Sequence, residues 1–217
     1  MTFLCIFTAW LFTLCLHEFS HAYVAYHAGD HSVKDKGYLS FNPLRYTHPV
    51  MSIVFPLIIL AMGGIALPGG AVYIDRTRLR TRKWESLVSL AGPISNLCVA
   101  GLLSLAFITG FYERLGTQTF WAGYAFFIFI QVMAAVLNLL PVPPLDGYGA
   151  IEPWLDWRTR LKLQPLRNYG ILILFLLLWF FEPFYRLFYA VIMIISSGVL
   201  RVPRELIIEG LNNFRLF

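Results

Sequence analysis

Three ionisable side chains stand within five positions at His17-Glu18-Phe19-Ser20-His21. The pattern is H-E-x-x-H. Histidines four apart on a helix lie on one face about one turn apart, close enough to share a metal ion. Glu18 then falls beside the open position of that metal, where it can take a proton from water. An isolated match of five residues occurs by chance in soluble sequences. Here the run of residues around it is apolar, from about Phe3 to Ala25. A charged residue inside a membrane helix costs roughly 2.5–3.5 kcal/mol on insertion scales, so a compensating function is expected. Two histidines leave a catalytic zinc site one protein ligand short. The candidates are His27, His31, His48 and the carboxylates, among which Asp146 stands out. It follows Asn138-Leu-Leu-Pro141-Val-Pro143-Pro144-Leu, where prolines break a helix directly after an apolar segment. Freed backbone at that depth is tolerated only against protein or a wet cavity, and a carboxylate there can turn inward. Read alone, it is better taken as an ordinary turn aspartate before Gly147.

The elements that must position these residues are membrane segments. Of the 217 residues, 58% are hydrophobic and only 13% charged, against roughly a quarter charged in soluble domains. That composition excludes a soluble H-E-x-x-H protease. The net charge of +5 lies in the loops between apolar segments, where it reads as a topology signal rather than a nucleic-acid footprint. Five to six apolar segments are visible, and the fold class expected is an all-α polytopic membrane protein. The first segment is about 3–25 and the second about 50–67, short and broken by Pro56 and Gly63-Gly64; the third is about 87–111 and the fourth about 120–140. Residues 169–200 are longer than one span needs and are divided at Glu182-Pro183, so they form one kinked helix or two shorter ones. The first segment lacks a positive n-region and reads as a retained helix, not a cleaved signal. Cys5, Cys15 and Cys98 lie in apolar segments without metal or redox spacing.

Three separated motifs carry a family resemblance: H-E-x-x-H at His17–His21, Ala91-Gly92-Pro93-Ile94-Ser95-Asn96, and N-x-x-P-x-x-P-x-D-G ending at Asp146-Gly147. In this order they resemble the site-2 protease family of intramembrane zinc metalloproteases. The stretches HEFSHAYVAYHAGD, from His17, and LSFNP, from Leu39, resemble its compact bacterial branch without a PDZ domain. The resemblance covers most of the chain up to about Gly149. It implies one zinc ion held by His17, His21 and Asp146, Glu18 as general base, and Asn96 holding the substrate carbonyl or its oxyanion. It also implies a core of three transmembrane helices over residues 1–150, around the zinc. Residues 151–168 are then a cytoplasmic linker or short amphipathic helix, and 169–217 C-terminal membrane segments and a tail. Two departures concern substrate handling: the family's D-G-G is Asp146-Gly147-Tyr148, and its G-W-A-K-P-V stretch is replaced by Gly69-Gly70-Ala71-Val72-Tyr73-Ile74.

A shared ion also constrains topology. His21 and Asp146 lie at segment ends that must share one side of the bilayer, so an even number of crossings separates them. The broken second segment is then re-entrant rather than spanning. On that arrangement Lys34, Lys36, Arg45, the run from Arg76 to Lys83, and Arg158 to Arg167 share one face, with Arg114 alone in the opposite core loops. The positive-inside rule makes the basic face cytoplasmic, in a bacterial cytoplasmic membrane, with the site opening towards it. The expected activity is hydrolysis of peptide bonds in or near transmembrane segments of membrane proteins. The substrate must unwind locally, and its strand could pair with an edge near Leu39–Phe41 or Ala71–Ile74. Selectivity is left to a helix gate, an upstream protease or a separate regulatory membrane protein. The competing reading is a metal-binding membrane scaffold or transporter without proteolysis. A transporter would want a through path and often internal repeats, and a scaffold would more naturally have lost Glu18 or a ligand.

Overall fold

The computed structural model describes residues 2–46 and 72–214. Among these the chain is all-helical, without a strand, and forms a polytopic membrane protein. Three helices are long and apolar enough to cross a bilayer: α1 (Thr2–Ala28), α2 (Arg82–Ile108) and α3 (Gln118–Asn138). A short helix, α4 (Asp146–Ile151), follows the proline-rich turn after α3. Then come α5 (Trp157–Leu163) and α6 (Leu166–Phe180), bent by 60° where they join. The chain continues through α7 (Glu182–Met193), a π-helical stretch over Ile194–Val199, and α8 (Arg204–Phe214). The expected re-entrant segment at 50–67 and His48 lie outside the described residues.

Helix ends follow local chemistry rather than hydropathy. Gly29 stops α1 at φ +122, a conformation that side chains other than glycine's rarely adopt. A Cβ there would also lie 2.7 Å from the Arg78 carbonyl, and the Arg80 N–H donates to the Ala28 carbonyl at 3.0 Å. The chain from 29 to 79 therefore starts and finishes at one point. Asp30, fully buried, secures it by accepting from the Ser32 hydroxyl at 2.6 Å and from the Asp75 N–H at 2.8 Å. Thr81 caps α2 through its side chain. The helix therefore begins at Arg82, ahead of the apolar run expected from Leu87.

The buried face of α1 runs through Ile6, Trp10, Thr13, His17 and His21, steps of three and four that make one helical stripe. Opposite it, α2 presents Gly92, Asn96, Ala100 and Ser104, all one turn apart and all buried. Small residues at this spacing let membrane helices approach closely. α3 is the most enclosed helix, buried continuously from Ala125 to Val132. One apolar core joins α1, α2 and α3 to α7 and α8. A second, of Ala22, Ala25, Ala28, Val33 and Val88, closes the other end. Polar side chains occupy the level between them. The Ser86 hydroxyl donates to the Ala150 carbonyl at 2.6 Å, which brings the start of α2 against α4. The ends of α1 and α3 and the start of α2 thus share one end of the bundle, with two described crossings between His21 and Asp146.

Candidate active site

α1 carries His17, Glu18 and His21, all buried, and the turn after α3 delivers Asp146 at the first position of α4. His17 Nε2 and His21 Nε2 are 3.1 Å apart, and each lies 3.3 and 3.4 Å, respectively, from Asp146 Oδ2. Zinc bound at roughly 2.0–2.2 Å in a tetrahedral set requires ligand atoms about 3.3–3.6 Å apart. The triangle matches that requirement within a few tenths of an ångström. Its donors, two imidazoles and a carboxylate, suit zinc, and three protein ligands leave the open position of a catalytic site.

The remaining ring nitrogens are held for this purpose. His21 Nδ1 donates to the Val88 carbonyl at 2.6 Å. Pro93 sits inside α2, where it cannot donate to the Ser89 carbonyl and interrupts the ladder in this turn. His17 Nδ1 donates to Asn96 Oδ1 at 2.5 Å. Hydrogen on both Nδ1 atoms leaves both Nε2 lone pairs directed at the triangle, as ligation needs. Gly92 is the floor of the site. A Cβ there would lie against His21 Nε2 and His17 Nε2 and 2.6 Å from His17 Cε1, so no other residue leaves room for an ion.

Asn96 uses its second polar atom to donate from Nδ2 to Gln131 Oε1 at 2.7 Å. Gln131 Nε2 donates in turn to Thr13 Oγ1 at 3.0 Å. Asn96 thus stands on the Nδ1 side of His17. Glu18 is close enough to His17, His21 and Asp146 for its charge to act on all three, and the Val72 N–H is directed at its carboxylate. Asp146 offers Oδ2 to the same point as the two imidazoles, as a carboxylate ligand would. His27 and His31 lie exposed, beside Tyr23 and Tyr26, away from the three ligand candidates.

Around the site, Arg76 and Arg167 both pair with Glu152, Arg76 at 2.6 Å. They join the turn before α2, the segment after α4, and α6. Residues 72–75 belong to no helix or strand, and Asp75 has extended dihedrals, as does Asn42 after the bend at Leu39 and Ser40. Phe41 stacks on Phe12 and Phe19 of α1 with ring centroids 5.5 and 5.0 Å away. Sequence reasoning did not single out Thr13, Gly92 as a contact residue, or Gln131. For Gln131 a signal existed, since it is the one amide between Gln118 and Asn138 in an apolar run.

The chain is 49% identical over 193 residues to a protein of Mycolicibacterium smegmatis named "Putative zinc metalloprotease Rip2", covering 86% of this chain and 73% of that protein. The protein of the same name in Mycobacterium tuberculosis strain H37Rv is 45% identical over the same shares. "Putative zinc metalloprotease YwhC" of Bacillus subtilis is 35% identical over 168 residues, 75% of this chain and 74% of its own length. No family model matches the chain, and no solved structure matches it significantly. Motifs, ligand triangle and relatives agree, and the chain belongs to the site-2 protease family of zinc metalloproteases.

Proposed function

We propose that the protein is an intramembrane endopeptidase that hydrolyses peptide bonds in or near transmembrane segments of other membrane proteins, with one zinc ion per chain. The observation that carries this reading is the ligand triangle of His17, His21 and Asp146 between helices long and apolar enough to span a bilayer. Zinc held there would supply Lewis acidity and lower the pKa of a bound water to about 7. His17 and His21 hold the metal through Nε2, and Asp146 through its carboxylate. Glu18 accepts the proton of the attacking water and passes it to the leaving amine. Asn96 has its Oδ1 engaged with His17. One hydrogen on its Nδ2 remains for the substrate carbonyl or oxyanion, a role supported by the family resemblance.

The substrate is a membrane-spanning helix that must unwind for its carbonyl to reach the site, so helix-breaking residues are expected near its cut. Its extended strand would lie along Val72–Ile74, which belongs to no helix and whose first N–H points at Glu18. The site opens to the cytoplasm. The test is cleavage by wild type and Glu18→Gln, purified in detergent, of a pool of single-span membrane peptides, read by mass spectrometry with and without a zinc chelator. Cleavage by wild type alone, lost with the chelator and absent in E18Q despite retained zinc, is expected. Equal cleavage by both proteins overturns the role of Glu18. Zinc binding without cleavage by either leaves a metal-binding scaffold.

A further inference from the structure

We propose that Gln131 and Thr13 are positioning residues of the metal centre, which set the tautomer of His17 through Asn96. The inference rests on the zinc reading above. Thr13 Oγ1 donates to the Trp10 carbonyl at 3.0 Å, with the Ala9 carbonyl at 3.2 Å. Its lone pairs are left to accept, and Gln131 Nε2 donates to it at 3.0 Å. That fixes which way the Gln131 amide faces, with Oε1 towards Asn96. Asn96 therefore presents Nδ2 to Gln131 at 2.7 Å and Oδ1 to His17 at 2.5 Å. An oxygen facing Nδ1 demands a hydrogen on Nδ1, which leaves the Nε2 lone pair for the metal.

The chain of bonds has a direction. Reversing it would turn an Asn96 N–H towards Nδ1, move the imidazole hydrogen to Nε2 and remove a metal ligand. Reversal also requires the Thr13 hydroxyl to leave the backbone carbonyls it serves. Thr13, Asn96 and Gln131 are 4%, 3% and 0% exposed, so water does not substitute for a missing member. Thr13 and His17 are one turn apart on α1, so the path leaves α1, visits α2 and α3, and returns to α1. His21 differs, because its Nδ1 partner is the Val88 backbone carbonyl, which no side-chain substitution removes. The side-chain path therefore controls one ligand of the three.

The test uses the full chain in detergent, as wild type, Gln131→Met, Thr13→Val and Thr13→Ser. Zinc dissociation constants are measured by competition with a chromophoric chelator, and thermal midpoints on the zinc-free proteins. Q131M and T13V are expected to bind zinc about 10- to 100-fold more weakly, the range seen when partners of metal-bound histidines are removed. T13S keeps the hydroxyl and is expected to bind as wild type does. Wild-type affinity in Q131M and T13V, even with lowered thermal midpoints, would overturn the inference and leave these residues as helix-packing groups. Failure of wild type itself to bind zinc would instead defeat the metal reading on which the inference rests.

Discussion

Gly92 and the two imidazoles it faces show how closely the site is fitted. The nearest ring atoms leave no space for a Cβ, so Gly92→Ala forces an imidazole aside or takes the volume of the ion. Zinc affinity is expected to fall by at least about tenfold, measured by metal content after chelator titration, while helix content by circular dichroism stays unchanged. Asp146→Asn tests the third ligand. It removes the anionic donor but keeps the shape, and weaker zinc retention with an intact fold is the expected result. The closeness of His17 and His21 was legible from their spacing on one helix, whereas Asp146, an ordinary turn aspartate on local grounds, joined them only through the family resemblance. Gly92 stood inside a recognised motif, yet its reason is the distance between α1 and α2, which no local pattern encodes. Asn96 was legible as a polar residue in that motif, but its bonds to His17 and Gln131 depend on three helices meeting at one depth.

At the scale of elements, hydropathy located the three long helices because each must present about thirty ångströms of apolar surface to lipid. It misplaced the start of α2, since a cap and not lipid sets that end. It also left residues 169–200 open between one helix and two, and the structure divides them at Phe181, with Glu182-Pro183 opening α7. The contacts that dock the later elements were not legible. Gly210 of α8 is placed where a Cβ would meet the Ala122 carbonyl and lie 2.5 Å from Phe126 Cβ on α3. Gly210→Ala is therefore expected to destabilise the protein by about 1–3 kcal/mol through overpacking, seen as a lower thermal midpoint with unchanged zinc content. Glu152→Gln should act differently. It weakens the pairs with Arg76 and Arg167, whose side chains are 43% and 47% exposed. Solvent screening limits the cost to roughly 1 kcal/mol, measured by chemical denaturation in detergent.

For the whole molecule, a metal shared by His21 and Asp146 requires an even number of crossings between them, and α2 and α3 are the two among the described residues. The orientation that follows is testable in cells. With Cys5, Cys15 and Cys98 replaced by serine or alanine, Arg80→Cys is expected to react with a membrane-impermeant maleimide only after permeabilisation, and Arg114→Cys in intact cells. Both positions are exposed in the structure; the opposite labelling pattern would invert the protein in the bilayer. The closure of residues 29–79 at the Ala28–Arg80 hydrogen bond reaches further. A segment whose two ends coincide can change length at small cost, because the closure entropy grows only slowly with its length. Its described residues are tied to the bundle as well, since Val33 packs in the second core, Phe41 stacks on Phe12 and Phe19, and Arg76 pairs with Glu152. Exchange of residues 47–71 between relatives, with 29–46 and 72–80 kept, is expected to leave the Arg80 amide, bonded to the Ala28 carbonyl, as protected from hydrogen exchange as before.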